Sequence, residues 1–290
     1  MFTTLSFGEV LWDIFPDYKK PGGSPANLAY HLHCLGSQSL LLSRVGDDEL
    51  GRELLVFLES KGVNRSFIQT DNHLPTGEVT VTFNGDEPSY TIHQPSAWDA
   101  IELNDLLLKE LNNLDAVCYA SLSQRDDRSF SALTQILAKI PKKCLKVFDL
   151  NLRPPFINRE TIVSQIRETN VVKLNEEEFD TVSDWFETDD LAKKLLSEDP
   201  EKTVLLTKGA NGSMMYTSNG IFTEKAYPIS GEGDFVGVGD AFLACFTYLR
   251  LLKTADESIL KLANKYAAYV ASQKGGMPDI PTKLIESITG

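Results

Sequence analysis

Short apolar runs alternate with segments of helical periodicity along most of the chain. The apolar runs predict strands at 3–7, 39–45, 116–121, 145–150, 171–174 and 203–207. Helical spacing of apolar positions predicts helices at 24–35, 48–61, 128–139, 160–168, 189–197, 239–252 and 256–273. Buried strands separated by helices are typical of a parallel sheet that is covered on both faces. The pattern therefore predicts an α/β fold.

One segment breaks this alternation. Residues 76–83 alternate strictly between polar and apolar side chains, and residues 89–93 form a second extended run after a turn signal at Asn84-Gly85-Asp86. A half-exposed hairpin among buried strands indicates an accessory lid. A second hairpin is predicted at 213–217 and 221–226. We expect a single domain over residues 1–290, because no linker, repeat or low-complexity segment interrupts the pattern.

Composition narrows the class of protein. Hydrophobic residues make up 42% and charged residues 24%, which is ordinary for a globular domain. The net charge of −13 disfavours a nucleic-acid partner, because an acidic surface repels a phosphate backbone. No apolar run approaches the roughly 20 residues that cross a bilayer. The four cysteines, which lie far apart in the sequence, are predicted to be buried free thiols in a reducing compartment: Cys34, Cys118, Cys144 and Cys245. We therefore expect a cytoplasmic protein with no membrane contact.

The segment from Asp234 to Asp240, DFVGVGD, leads directly into a predicted helix. Gly237 and Gly239 lie where a loop becomes a helix N-terminus, and the free amides there favour an anion. An aspartate in the same turn, Asp240, can accept a proton from a substrate hydroxyl beside that anion. The alternative is a capping aspartate in a glycine-rich turn.

Two further loops that follow strands suit a nucleotide and its metal. Thr207, Gly209 and Gly212 offer a hydroxyl and flexible backbone amides to a polyphosphate, although a hairpin turn has the same composition. Asn175 and Glu178 lie three residues apart at a helix start, so both can orient water around Mg²⁺. The alternative is the acidic first turn that any helix favours.

Charged and polar groups near three other loops suit a sugar and its phosphorylation. Arg153, after the strand at 145–150, can neutralise a transferred phosphoryl group, or form a surface ion pair. Asp13 and Asn27 can bracket a polyol while Gly22 and Gly23 let the backbone come close. The alternative for Asp13 is a turn residue, and the alternative for Asn27 is a helix cap. A sugar-acid acceptor would need an added cation, and Lys19 and Lys20 are nearest in sequence, on what we expect to be an exposed turn.

The chain resembles the PfkB, or ribokinase-like, family of carbohydrate kinases over nearly its whole length. The segment Gly22-Gly23-x-x-x-Asn27 is similar to the family's N-terminal signature, and Asp234 to Asp240 is similar to its C-terminal signature. The opening GEVLWD and the segment PSAWDA are most similar to fructokinase-like members. The resemblance implies a ribokinase-like, mainly parallel sheet with helices on both faces, and a small β lid from about 12–24 and 76–98.

The resemblance also implies a role for each matched position. In the transfer reaction these are Asp240 as the base, the amides of Gly237, Val238 and Gly239 as an anion hole, and Arg153 beside the reacting phosphates. At the sugar they are Asp13, Gly22, Gly23 and Asn27. At ATP and hydrated Mg²⁺ they are Thr207, Gly209 and Gly212 for the phosphates, Asn264 near the adenine, and Asn175 and Glu178 for the metal. A K⁺ ion beside the anion hole, held by carbonyls of Asp234 and Val236, is implied as well.

The chain departs from the family signature at two positions. Phe235 stands where the signature has threonine, and Val238 stands where it has alanine. We expect phosphorylation of a terminal hydroxyl of a small sugar, with fructose leading and with ribose, 2-keto-3-deoxygluconate or a nucleoside as alternatives. A non-catalytic sugar or nucleotide sensor is a second class, which the intact Asp240 and Glu178 disfavour. A Rossmann dehydrogenase is disfavoured because no G-x-G-x-x-G follows the first strand. Exposed lid edges also suggest a homodimer through the lid.

Overall fold

A computed structural model describes residues 1–84 and 87–290, and the side chains of all but residues 83–88. The predicted turn at residues 84–86 therefore lies partly outside the described residues. The strands are β1 (Thr3–Phe7), β2 (Leu11–Ile14), β3 (Lys19–Gly22), β4 (Gln38–Gly46), β5 (Ile68–Asp71), β6 (Gly77–Asn84), β7 (Glu87–Ile92), β8 (Ala116–Ala120), β9 (Leu145–Asp149), β10 (Val171–Asn175), β11 (Thr203–Thr207), β12 (Ser213–Thr217) and β13 (Gly220–Glu224).

The α-helices lie between and after these strands. They are α1 (Ser24–Cys34), α2 (Glu49–Ser60), α3 (Asp105–Glu110), α4 (Asp127–Lys139), α5 (Arg159–Glu168), α6 (Glu176–Trp185), α7 (Leu191–Glu198), α8 (Val238–Leu251), α9 (Asp256–Ala271) and α10 (Thr282–Thr289). Every predicted strand and helix is present within a few residues of its expected bounds. Strand β5 and the helices α3, α6 and α10 were not among the predicted spans, although a helix start was expected at Asn175 and Glu178. The four-residue strands β2 and β3 were expected only as part of the lid that the family resemblance implies.

The central sheet has the strand order β13-β12-β11-β10-β9-β8-β1-β4-β5 within the described residues. In the order from β11 to β5, each pair of neighbouring strands is parallel. At the other edge, β12 is antiparallel to both of its neighbours, β11 and β13. From β1 the chain first adds β4 and β5 on one side and later adds β8 and its successors on the other. The order therefore reverses at β1, and the carboxyl ends of the strands beside such a reversal are where open α/β sheets bind ligands.

Helices cover both faces of this sheet. Val117 and Tyr119 of β8 pack with the apolar side chains of α4 and α5, whereas Cys118 packs on the opposite face with α1, α8 and α9. Successive strand residues point to opposite faces, so this alternation places apolar layers on both sides. The predicted α/β class is confirmed. No helix in the described part of the chain is long and apolar enough to cross a membrane.

A second, four-stranded sheet has the order β3-β2-β6-β7 and forms the small lid. Strand β2 pairs antiparallel with β3 and parallel with β6, and β6 pairs antiparallel with β7. The alternating pattern of residues 76–83 predicted the hairpin, and the lid itself is confirmed. The four cysteines are free thiols, three of them buried, while Cys34 is half-buried rather than buried.

Candidate active site

A cavity of about 810 Å³ lies between the lid sheet and the carboxyl ends of the central strands. Its walls come from the lid, from the loops after β1 and β9, and from the N-terminus of α8. Seven of the predicted site residues line it: Asp13, Gly22, Gly23, Asn27, Arg153, Gly237 and Asp240. A volume of this size is ordinary for a small-molecule site. Residues far apart in sequence thus meet at the strand ends where the reversal predicts a ligand.

Asp240 is a buried carboxylate at the third residue of α8. Ser24 donates a hydrogen bond through its hydroxyl to Oδ1 at 2.6 Å, and Asn27 donates through Nδ2 to Oδ2 at 2.8 Å. Burial raises the pKa of Asp240 because it penalises the charged form, while the bond from Ser24 lowers it and the nearby Asp149 raises it. The net pKa is raised, which strengthens this carboxylate as a base in a cavity large enough for a substrate.

The start of α8 borders the same cavity, which Gly237 and Asp240 line. Gly237 caps the helix with φ of 72°, a left-handed conformation that glycine adopts without strain. A Cβ there would also come within 2.7 Å of the backbone of Gly276. The first amides of a helix have no intrahelical partner, so those of Val238 and Gly239 remain candidates to bind an anion near Asp240.

The loop before α8 is held by the side chain of Asp234. It accepts hydrogen bonds from the backbone amides of Gly275 at 3.0 Å and Val236 at 3.2 Å, and it forms an ion pair with Lys20 at 2.8 Å. Lys20 belongs to β3, so the ion pair joins the lid to the loop before α8. Lys19 pairs with Glu53. Both lysines of the expected exposed turn therefore lie in a lid strand and are engaged by carboxylates.

Asn175 and Glu178 form a reciprocal capping box at the start of α6. Asn175 Oδ1 accepts from the amide of Glu178, and Glu178 Oε2 accepts from the amide of Asn175, both at 2.9 Å. Glu178 Oε1 accepts from the amide of Leu152 at 2.8 Å. The described residues contain no cluster of three ligands that would enclose a metal. Carboxylate oxygens keep further lone pairs, so the pair fits a hydrated Mg²⁺ that is held through water.

The two glycines of the loop after β11 have different surroundings. A Cβ on Gly212, with φ of 91°, would overlap the carbonyl oxygen of Glu224, so the turn itself requires this glycine. Gly209 has φ of 53° and no described atom within 4 Å of a built Cβ, so its surroundings are open. Thr207 donates to the carbonyl of Leu174 at 3.3 Å.

Asn264 of α9 is buried away from the cavity. Its Nδ2 donates to the hydroxyl of Ser213 at 2.6 Å and to the carbonyl of Leu260 at 2.9 Å. The amide therefore joins α9 to β12. Its predicted place near the adenine stays a prediction.

Comparison with known proteins identifies the family. The pfkB family of carbohydrate kinases matches residues 15–283. The chain belongs to this family. It is 29% identical to fructokinase-2 of Oryza sativa subsp. japonica, over 97% of this chain and 91% of that protein. Two solved structures share the fold: the fructokinase of Xylella fastidiosa with bound ATP, and a double mutant of the fructokinase of Vibrio cholerae with fructose, ADP and potassium.

The structural agreement extends over the whole chain. The Xylella structure has a TM-score of 0.86 at 21% identity and covers 99% of this chain and 97% of its own. The Vibrio structure has a TM-score of 0.81 at 22% identity and covers 100% and 99%. Likeness at this identity shows the fold, which is ribokinase-like as expected. Family membership makes the chain a sugar kinase, a phosphotransferase that acts on a sugar hydroxyl.

In this pfkB kinase, three charged side chains near the site were assigned no role from the sequence: Glu9, Lys173 and Asp149. Glu9 lines the cavity with 2% of its surface exposed, and its Oε2 has no hydrogen-bond partner among the described residues. The pKa of Glu9 is raised to about 7, chiefly by burial and also by the charge of Asp240, while backbone hydrogen bonds and the charge of Arg153 oppose the rise. A glutamate directly after an apolar strand, at GEVLWD, is the signal that could have found it. Burial likewise raises the pKa of Asp13 to about 6.

The other two groups form a buried ion pair. Lys173 Nζ lies 2.9 Å from Oδ1 and 3.0 Å from Oδ2 of Asp149. A Cβ on Gly239 would lie 3.2 Å from the same nitrogen, so the ammonium sits against the first turn of α8. Burial lowers the pKa of Lys173, but the neighbouring carboxylates of Asp149 and Glu178 outweigh it and keep the pKa raised. A lysine inside the apolar run VVKL was the available signal.

Proposed function

We propose that the protein transfers the γ-phosphoryl group of ATP to a terminal hydroxyl of a neutral small sugar, with fructose as the leading candidate. The observation that carries the proposal is Asp240, a buried carboxylate with a raised pKa at the N-terminus of α8, inside a sugar-sized cavity. Fructokinase-2 of rice and the fructokinases of Xylella and Vibrio support the choice of sugar.

In the proposed step the sugar oxygen forms a bond to the γ-phosphorus as its proton passes to Asp240. The bond between the γ-phosphorus and the β,γ-bridging oxygen breaks, and ADP leaves with that electron pair. Ser24 and Asn27 fix the carboxylate so that one lone pair faces the hydroxyl. The amides at the start of α8 hold the transferred group, since catalysis of phosphoryl transfer is mostly positioning and charge stabilisation.

Nucleotide and magnesium binding are assigned to residues that do not line the sugar pocket. Thr207 and the open backbone at Gly209 suit the phosphates of ATP, which the Xylella structure contains. A hydrated Mg²⁺ held by Asn175 and Glu178 would neutralise phosphate charge when bound. The potassium of the Vibrio structure supports a monovalent ion, and we assign it to the loop from Asp234 to Val236, part of which lines the pocket.

The charges of the cavity favour a neutral acceptor. In the part of the chain that the structure describes, the carboxyl groups of Glu9, Asp13 and Asp240 line it, against the guanidinium of Arg153. Lys20 is already paired with Asp234, so a sugar acid would meet carboxylates without a spare lysine among the described residues. Like charges at short range disfavour binding, which argues against 2-keto-3-deoxygluconate.

The test is ADP release by coupled assay with Mg-ATP and K⁺, across fructose, ribose, glucose, tagatose, 2-keto-3-deoxygluconate and adenosine. We expect rapid turnover on one neutral sugar and a loss of at least about a hundredfold in Asp240→Asn, which keeps the shape of the side chain and removes the base. Release no faster than the sugar-free rate for every acceptor, with a sugar still bound, would leave a sensor in place of a kinase. A homodimer through the lid stays a prediction for light scattering.

A further inference from the structure

Phe235 combines two features that a surface phenylalanine rarely has together. Its φ is 58°, in the left-handed region where a bulky side chain is strained. Its side chain is also 63% exposed, although it lies in the wall of the cavity, three residues before the first residue of α8. Both features are unfavourable in the isolated protein. Strained residues persist where the surrounding structure holds them, and they concentrate at functional sites.

The fold does not need this ring. Phe235 lies outside the apolar clusters that form the core of the described residues. The loop is held instead by its neighbour, because the carboxylate of Asp234 binds the amides of Val236 and Gly275. The position thus carries a large, mostly exposed apolar group that belongs to none of these core clusters.

A second exposed aromatic residue lines the same cavity from the lid. Tyr90 of β7 is 62% exposed, and Ile92 and Val79 add apolar surface beside it. The polar groups that suit hydroxyls, Asp13 and Asp240, belong to other parts of the wall. The cavity therefore offers both hydrogen-bonding carboxylates and flat apolar surface.

We propose that Phe235 is a specificity-determining residue whose ring packs against the apolar C–H face of a closed-ring sugar, with Tyr90 as a second aromatic contact from the lid. The inference rests on the proposed function and names its substrate class more narrowly. A furanose or pyranose presents a rigid C–H face that a planar ring can cover, and covering it removes apolar surface from water. An open-chain polyol carries hydroxyls along a similar carbon chain but has no such rigid face.

The experiment compares binding of D-fructose with binding of D-glucitol, its open-chain counterpart, by calorimetry without nucleotide. The wild-type protein should bind fructose more tightly, and Phe235→Gly should weaken fructose binding about tenfold while changing glucitol binding less than twofold. Phe235→Tyr keeps the ring and should stay within about twofold of the wild type for both. Thermal unfolding of each variant is measured in parallel.

Lys253→Gly is the matched control for the backbone. Lys253 is an exposed residue with the same φ of 58°, outside the cavity. Replacing Lys253 with glycine relieves the same backbone strain, so it should shift the melting temperature by about as much as Phe235→Gly does. It should leave the affinity for fructose unchanged. A structural role for Phe235 would instead lower the melting temperature of Phe235→Gly well below that of the control.

Several outcomes would overturn the inference. The wild-type protein could bind both ligands equally well or bind neither, or Phe235→Gly could keep the wild-type affinity for fructose. A fourth is that Phe235→Gly retains its affinity but changes its oligomeric mass in solution, which would mean that the ring covers a protein interface. Failure of the proposed function looks different. Phe235-dependent fructose binding without ADP release would remove the kinase step and leave this inference standing.

Discussion

The side-chain amide of Asn27 in α1 donates a hydrogen bond of 2.8 Å to Oδ2 of Asp240 in α8, 213 residues later in the chain. Ser24, one turn earlier in α1, donates to the other carboxylate oxygen. The first helix thus orients the predicted base at the start of the eighth. Asn27 was matched to the sugar by sequence, and the structure adds a contact to the base.

Asn27→Ala should lower kcat by about tenfold and change KM for the sugar by less than about threefold. The reason is that a carboxylate with one fixed hydrogen bond removed samples unproductive orientations. Ser24→Ala removes the bond to the other oxygen and should act in the same direction. Steady-state kinetics check both variants. A rise in KM at unchanged kcat would assign Asn27 to sugar binding alone.

The acid limb of the pH profile should lie above the ordinary aspartate range of roughly 3.9. Burial raises the pKa of Asp240, and the base works only when it is ionised, so kcat/KM should fall as pH drops through that raised pKa. The charged groups nearby are Asp149 and Lys173, with Glu9 coupled to Asp240. The limb should persist in Glu9→Gln. An activity that stays flat down to pH 4 would rule out Asp240 as the titrating base.

Glu9 should make the protein less stable as the pH rises. Its pKa is about 7 in the folded protein against an ordinary 4.5, so the folded state binds the proton more tightly. The stability gained is complete below about pH 4.5 and is lost as the pH rises through about 7, on the order of 3 kcal/mol. Urea unfolding at pH 5 and pH 8 measures it. Glu9→Gln should reduce the difference, and an identical difference in both proteins would contradict the assignment.

The buried pair of Lys173 and Asp149 should show opposite behaviour in single and double variants. Lys173→Met leaves Asp149 without its partner and should destabilise the protein by about 3–5 kcal/mol. Adding Asp149→Asn removes the uncompensated charge and should recover most of that loss. Chemical unfolding of the two variants gives the free energies. Equal stability of both would mean that the pair is not coupled.

Gly212→Ala and Gly209→Ala distinguish the structural role of the loop after β11 from its proposed role in binding phosphates. The first places a Cβ onto the carbonyl of Glu224 and should destabilise the protein by more than about 2 kcal/mol. The second meets no described atom within 4 Å, so it should cost only about 1 kcal/mol of backbone strain. If ATP contacts this loop, Gly209→Ala should raise KM for ATP severalfold. An unchanged KM would leave the loop a plain turn.

Apolar periodicity predicted most of the long elements because helix and strand spacing are local properties of the chain. The helix α6, whose first turn is three glutamates, was expected only as a helix start. Strand β5 and the lid strands β2 and β3 carry only four residues each, so their pairing depends on neighbours that lie far away in sequence. Lys19 and Lys20 illustrate the limit. Two adjacent lysines look like an exposed turn, and only pairing with β2 reveals a strand whose ion pair reaches Asp234.

The sequence by itself determined the α/β class, the lid hairpin, and which loops are candidates for the site, since residue type and spacing suffice for these. Tertiary structure alone decided which groups touch: Asn27 with Asp240, and Lys173 with Asp149. It also decided that Glu9 is a buried carboxyl of the cavity rather than a surface charge. The physical reason is that strand order around β1 brings distant strand ends together, and no local period encodes that order.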